Sequence, residues 1–283
     1  MNSYTPKVLD LINNYEIIKQ ETNRDNIALI DGDIFLYSVC FPKKQTQEQI
    51  IQMGNQLERT LQDVINELNN YLISTLIATN CIYYKGFLSG KSFRKEIAKT
   101  AEYKAGRSTE KPQYFSEIRT YLKEVWGFQE DSITYYEADD LICSYNKEYT
   151  NKGYIPIIIS IDKDLDQIAG KHYNPRKKEF YDINNGYAEY FLWYQTIIGD
   201  TADNIKGIEG VGPIGAKKIL TGSFVDNTLQ AYISKYGLKK GINNFTENFN
   251  LVYLCDDYTS IEEPNYIKNV VNIIDNVTEV KFE

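Results

Sequence analysis

Asp200 and Asp203 stand three residues apart in the stretch Ile197 to Leu220, IIGDTADNIKGIEGVGPIGAKKIL, and glycines 207, 210, 212 and 215 follow at once. Two carboxylates beside a glycine-spaced turn place metal chemistry next to a phosphate seat. Backbone without Cβ at Gly207, Gly210 and Gly212 can approach a phosphate closely, and free N–H groups at a helix opening near Pro213 would bind it. Lys206, Lys217 and Lys218 add positive charge, the pattern of sequence-independent DNA binding. A plain interhelical turn is the alternative for a glycine-rich loop alone.

Further acids follow predicted strands: Asp31; then Glu137, Asp139 and Asp140; then Asp162 and Asp164. One acid after a strand is commonly a helix cap. Gathered at one sheet edge, this many repel one another unless cations neutralise them. Oxygen-only donors favour Mg²⁺ or Mn²⁺ over zinc. Two such ions about 4 Å apart would activate a water and stabilise the leaving 3′-oxygen during in-line attack on a phosphodiester. That chemistry is hydrolysis without a covalent enzyme intermediate. No GxxxxGK[ST] occurs, which argues against a nucleotide-driven motor.

These acids meet only if the chain builds a parallel α/β sheet. NIALIDGD, residues 26–33, reads as a buried strand with Asp31 at its carboxyl end; Gly32 turns the chain away, which favours Asp31 over Asp33. Further strands are expected over 81–84, 133–136 and 155–161, and a polar hairpin over 173–183 with Arg176, Lys177 and Lys178 at its turn. Helical patterns cover 7–19, 46–78, 112–126, 137–149, 187–198, 225–236 and 241–254. Strands and helices alternate up to residue 198 and only helices are expected beyond. The implied division is an α/β body, residues 1–198, and a helical DNA-facing unit, residues 199–283.

With 283 residues, 42% hydrophobic and 25% charged, the chain is globular and large enough for a sizeable core. A net charge of −8 argues against a simple basic nucleic-acid coat. Charge is unevenly distributed, however: Lys85, Lys91, Arg94, Lys95, Lys99, Lys104 and Arg107 face only Glu96 and Glu102 in that segment. Cys40, Cys81, Cys143 and Cys255 form no CxxC pair, so a disulfide framework or zinc site is not expected and a reducing cytoplasm fits. The single His172, in GKHYNPRKKEF, reads as part of a solvated loop or short hairpin with a structural role, which argues against Ser-His-Asp and Cys-His catalysis. No stretch is long enough to span a bilayer.

The ordered motifs ALIDGD, FRKEI with EYKAGR, EADD, SIDKDLD and QTIIGDTADNIKGIEGVGPIGAKKIL resemble the 5′-nuclease family. That family includes flap endonucleases, the 5′-nuclease domains of bacterial DNA polymerases and bacteriophage 5′→3′ exonucleases; the chain is most similar to the exonucleases of short-tailed phages. The resemblance implies a PIN-like, resolvase-like parallel sheet with flanking helices and a helix-three-turn-helix (helix-hairpin-helix) DNA clamp. It places metal ligands on Asp31, Glu137, Asp139, Asp140, Asp162, Asp164, Asp200 and Asp203, with Glu137 and Asp140 in the outer shell. It also implies a basic arch or gateway over about residues 85–111, where Lys104 and Arg107 face the scissile phosphate, Tyr103 stacks on a base, and Lys91 and Arg94 contact DNA. A monovalent ion, often K⁺, is implied at the hairpin glycines. One departure stands out. The family carries another Asp after its second strand, but residues 68–95 contain no Asp or Glu, and Lys85 could contribute charge there instead.

The expected activity is metal-dependent 5′→3′ exonucleolytic hydrolysis of duplex DNA, extending to RNA–DNA hybrids, in primer removal or DNA degradation during phage replication. A flap or structure-specific endonuclease shares this chemistry. A single-strand ribonuclease with a PIN-like core, and a non-catalytic DNA-binding protein that kept the fold, are the remaining readings.

Overall fold

Asn26–Asp31 is apolar up to its last residue because it lies in the middle of a sheet covered on both faces. In the computed structural model, which describes residues 26–41, 59–107 and 110–270, this strand, β1, pairs in parallel with β2 (Tyr83–Phe87) on one side and β3 (Ile155–Ile159) on the other. β4 (Gly170–Asn174) continues the parallel set beyond β3, and β5 (Glu179–Ile183) returns antiparallel. A separate two-residue ladder joins β6 (Gly199–Asp200) to β7 (Ile205–Lys206). Near the C-terminus, β8 (Asn265–Tyr266) adds antiparallel to β2, so the sheet order is β5-β4-β3-β1-β2-β8. The carboxyl ends of β1, β2 and β3 share one edge, where α/β sheets build their sites.

Period-two alternation along β1 divides the core. Ala28 and Ile30 meet Phe35, Leu68, Leu72, Ile118 and Leu122 from α1 (Gly32–Cys40), α2 (Leu61–Ala78) and, beyond the single turn α3 (Arg94–Ile97), α4 (Phe115–Glu124). Ile27 and Leu29 meet Leu141, Ile142, Tyr145 and Tyr149 of α5 (Ala138–Asn151) on the opposite face. A third apolar cluster, including Trp193, Ile197, Ile208, Ala216 and Tyr232, packs α6 (Asn185–Ile198), α7 (Pro213–Ile219), α8 (Phe224–Tyr236) and α9 (Leu238–Val252) together. From Tyr253 the chain runs back over α5, where Tyr149 Oη donates to the Glu262 carbonyl at 2.6 Å and the Glu262 amide donates to Tyr145 Oη at 3.0 Å.

Several sequence expectations shift. β2 lies at 83–87, two residues later than expected at its start. Residues 133–136 form no strand: the Asp131 carboxylate accepts from the amides of Ile133, Thr134 and Tyr136, and this local turn captures donors that a ladder would use. α4 starts at Phe115 rather than near Pro112, after Tyr114 at φ 62°. α2 begins at Leu61, where Thr60 and Asp63 cap reciprocally; residues 46–58 of that expected helix, and the expected helix at 7–19, lie outside the described residues. His172 does lie in a hairpin, but it is buried rather than solvated, bonded to the Ile168 carbonyl and stacked on Tyr181.

Candidate active site

The acids arrive on four separate segments of the chain. Asp31 ends β1 and caps α1, and Glu137 caps α5 with Asp139 in its first turn. Asp162 opens the short turn Lys163–Gln167 after β3 and accepts from the Asp164 amide at 3.0 Å. Ser160 ties two of these positions together: its hydroxyl donates to Asp31 Oδ2 at 3.0 Å and accepts from the Asp162 amide at 2.9 Å. Asp200 closes its own loop by accepting from the amides of Ala202 and Asp203 at 2.7 and 3.3 Å. Backbone contact sets that loop. A Cβ on Gly199, at φ 70°, would lie 2.2 Å from the Ile205 carbonyl oxygen, and one on Gly207 would lie 2.2 Å from that of Ile197.

Asp31, Glu137, Asp139, Asp162, Asp164, Asp200 and Asp203 all line one cleft of about 1200 Å³, together with Asp33, Lys104 and Arg107. Negative charge there is in excess. Burial, then Asp33 and Asp162, push the Asp31 carboxyl up to about 8. Burial, then Asp31 and Asp162, hold Asp139 well above the usual carboxylate range. Asp164 rises to about 7 through burial and the neighbouring Asp162 and Asp200. Glu137 goes the other way: burial alone would raise it, but Lys104 and Arg94 outweigh burial and bring it below its ordinary value.

The basic segment closes over this cleft. Lys104, at φ 59°, pairs with Glu137 through Nζ, which lies 3.7 Å from Asp203, and its amide donates to the Asp203 carbonyl at 2.9 Å. Arg107 pairs with Asp203, and Asn204 Nδ2 donates to the Glu102 carbonyl at 2.9 Å. Segment 102–107 is thereby bonded to the loop carrying Asp200 and Asp203.

Other expected site residues stand elsewhere. Asp140 is fully buried, with both oxygens bonded to Arg94 at 2.7 Å and also accepting from the amides of Glu137 and Cys255. It does not line the cleft and stands behind Glu137, bonded to its amide and to the arginine that pairs with it. Arg94 is 2% exposed and spends its remaining donors on Glu137 and the carbonyls of Leu251 and Tyr253, which removes it from the DNA-contact set. Tyr103 offers no free ring face: it is 5% exposed, packed on Ile205, Leu251 and Val252, and its hydroxyl has Glu137 Oε2 at 2.8 Å and Asp203 Oδ2 at 3.0 Å as acceptors for its one proton. Gly207 serves close packing rather than a phosphate seat, whereas Gly210, at φ 82°, and Gly212 have open space where a Cβ would be. Lys91, Lys206, Lys217 and Lys218 are exposed. Lys85 points away from the cleft and pairs with Glu262, so it substitutes for no ligand there.

Three contributors escaped the sequence reading. Ser160, the polar break in an isoleucine run, and Gln195, an amide late in an aromatic helix, each carried that signal. Asp33, tethered by the Ser89 amide at 3.0 Å and by Arg119, reaches the cleft through a turn that pattern alone does not reveal.

A parallel sheet covered on both faces, acids along one strand edge and a helical hairpin alongside define a resolvase-like α/β nuclease. The family model for the N-terminal resolvase-like domain of 5′-3′ exonucleases matches residues 26–190, and the chain belongs to that family. It is a hydrolytic nuclease acting on DNA 5′ ends. It is 30% identical over 206 residues to a 5′-3′ exonuclease of Buchnera aphidicola, covering 68% of each chain. It is 28% identical over 218 residues to one of Mycoplasmopsis pulmonis, covering 71% of this chain and 68% of that one. In fold it is similar to a T5 5′-exonuclease variant (TM-score 0.53, 20% identity, 88% of each chain). It is likewise similar to the bacteriophage T5 flap endonuclease in a pseudo-enzyme–product complex with DNA and metal ions (TM-score 0.55, 20% identity, 82% of this chain and 89% of that one). No described helix is long and apolar enough to cross a membrane.

Proposed function

We propose that this chain is a divalent-metal-dependent 5′→3′ exonuclease hydrolysing duplex DNA from a 5′ end, a nick or a flap, with the RNA strand of RNA–DNA hybrids as a further substrate. The observation that carries this reading is the row of buried carboxylates facing Lys104 and Arg107 at the carboxyl edge of the parallel strands. The donor set is oxygen alone. Among the described residues no three Asp, Glu, His or Cys side chains converge into a ready-made chelate. Oxygen donors suit Mg²⁺ or Mn²⁺, which keep several waters and leave room for a substrate phosphate, better than zinc. The carboxyls raised by burial and then by their acidic neighbours mark where positive charge is missing.

Asp31, Asp139, Asp162, Asp164, Asp200 and Asp203 would hold two such ions, with Glu137 orienting Lys104. The ions would supply an activated water and stabilisation of the leaving 3′-oxygen. Lys104 and Arg107 would bind the scissile phosphate and offset the charge that builds on it. Gly210, Gly212, Lys206, Lys217 and Lys218 would clamp the duplex backbone, and the hairpin carbonyls would accept K⁺. This assigns chemistry to residues 1–198 together with Asp200 and Asp203, with a gateway near 85–111, and duplex grip to the hairpin within residues 199–283, at work in a cytoplasm during phage replication or primer removal.

Product lengths from 5′-labelled matched, nicked, flapped and hybrid duplexes, with Mg²⁺ or Mn²⁺, test the reading. Short products released from the 5′ end, lost with EDTA and in Asp162→Ala, are expected. Release of whole flaps alone would make the chain a structure-specific endonuclease. No product above the Asp162→Ala background would leave a DNA-binding protein without catalysis.

A further inference from the structure

A buried side-chain amide costs stability unless both its oxygen and its nitrogen are bonded. Gln195, 3% exposed in α6, meets that requirement in one polarity only. Its Nε2 lies 2.6 Å from Asp164 Oδ1, and its Oε1 lies 2.7 Å from Gln167 Nε2. Gln167 Nε2 also lies 2.8 Å from the backbone carbonyl of Val252, at the end of α9. A carbonyl oxygen can only accept, so that end sets the direction of the whole chain of bonds. Gln167 must present its NH₂ group, Gln195 must answer with its oxygen, and the Gln195 NH₂ group must then point at Asp164.

We propose that Gln167 and Gln195 form a positioning relay for the cation site: they occupy Asp164 Oδ1 with a fixed donor and leave Oδ2 as the oxygen available to a cation. The inference rests on reading Asp164 as a ligand of that site. Asp162 and Asp200 act on Asp164 as like charges, offset in part by Lys163. A neutral donor locked at its far end restrains it without adding a positive charge that would compete with the cation. The relay also spans the turn bearing Asp164, α6 and α9, so the rotamer of this acid depends on how the helical unit docks.

Mn²⁺ binding to the full chain without DNA, followed by the electron paramagnetic resonance of free Mn²⁺, tests this. Groups that orient metal ligands are commonly worth roughly 10- to 100-fold in metal affinity. Gln195→Leu, which keeps the volume and removes the donor, is expected to weaken the ion lost in Asp164→Asn by that factor. Gln167→Leu, which frees Gln195 to rotate, is expected to weaken the same ion less. In Asp164→Asn the added Gln195→Leu is expected to cost nothing further, because the relay then has no carboxylate to hold. Wild-type Mn²⁺ affinity in a folded Gln195→Leu protein, alongside a weakened Asp164→Asn, overturns the relay, as do additive losses in the double variant. If Gln195→Leu does not fold, normal binding by Gln167→Leu overturns it. Unchanged binding in Asp164→Asn also overturns it, and that result removes Asp164 from the ligand set as well.

Discussion

Arg94 sits in a basic segment of a DNA-acting chain, yet it is a core residue. Its guanidinium is forked on Asp140, also bonded to Glu137, and bonded to two carbonyls at the end of α9. Removing one partner of a buried pair leaves an uncompensated charge, so Arg94→Ala should cost about 3–5 kcal/mol in urea unfolding while DNA affinity per folded molecule stays near wild type. A stable variant with weakened DNA binding would return Arg94 to the interface. Asp31, Asp162 and Asp164 were legible in the sequence because they end β1 or follow β3, whose carboxyl ends share an edge, whereas Glu137 and Asp139 open a helix without a strand before it and Asp200 and Asp203 follow α6. The burial of Arg94 and Tyr103 was not legible, because Leu251, Val252 and Tyr253, which cover them, lie about 150 positions away. The raised acids also set a pH dependence. An unfolded Asp loses its proton near pH 4, at about 3.9, whereas folded Asp31 keeps its proton to about 8 and Asp164 to about 7. Between those limits the unfolded chain binds fewer protons, so stability of the metal-free protein falls as pH rises through this window. Urea midpoints in EDTA should therefore be lower at pH 8 than at pH 5, and excess Mg²⁺ should shrink the difference by supplying the missing positive charge.

Among the elements, the loop between α6 and α7 combines two kinds of glycine that look alike in sequence. Gly199 and Gly207 let backbone lie against backbone, while Gly210 and Gly212 border open space. Gly199→Ala should unsettle the folded loop, since its Cβ would meet the Ile205 carbonyl at 2.2 Å with a φ of 70°; the expected readout is a lowered melting temperature together with lost turnover. Gly210→Ala meets no atom and should cost only about 1–2 kcal/mol of left-handed strain, with its larger effect on DNA affinity. Lys217→Ala and Lys218→Ala should each weaken binding equally across sequences and flatten the salt slope by about one. An unaltered slope would take α7 off the phosphate backbone. The expected strand at 133–136 shows the limit of pattern at this scale: its residues suit a strand, but Asp131 captures their amides first.

At the scale of the whole molecule, the chain beyond α9 closes the sheet rather than adding only helices. Leu254 packs in the α5 core and Ile267 in the opposite one, and β8 covers the outer edge of β2. This return had no readable signature, because β8 is two residues long and its partners are set by α5. It explains Lys85. A lysine 2% exposed in the second strand would be untenable alone, and the returning segment brings Glu262, whose own side chain is 60% exposed, onto its ammonium. The pair is half in water, so its loss should cost less than a fully enclosed one, and Glu262→Ala is expected to destabilise by about 1–3 kcal/mol. Lys85→Met in that background should recover most of the loss, because an apolar side chain of similar length needs no partner there. Urea unfolding of the single and double variants measures both steps. Strictly additive effects would mean that the carboxylate does not neutralise this lysine, and that the β8 ladder and apolar packing hold the returning segment without it.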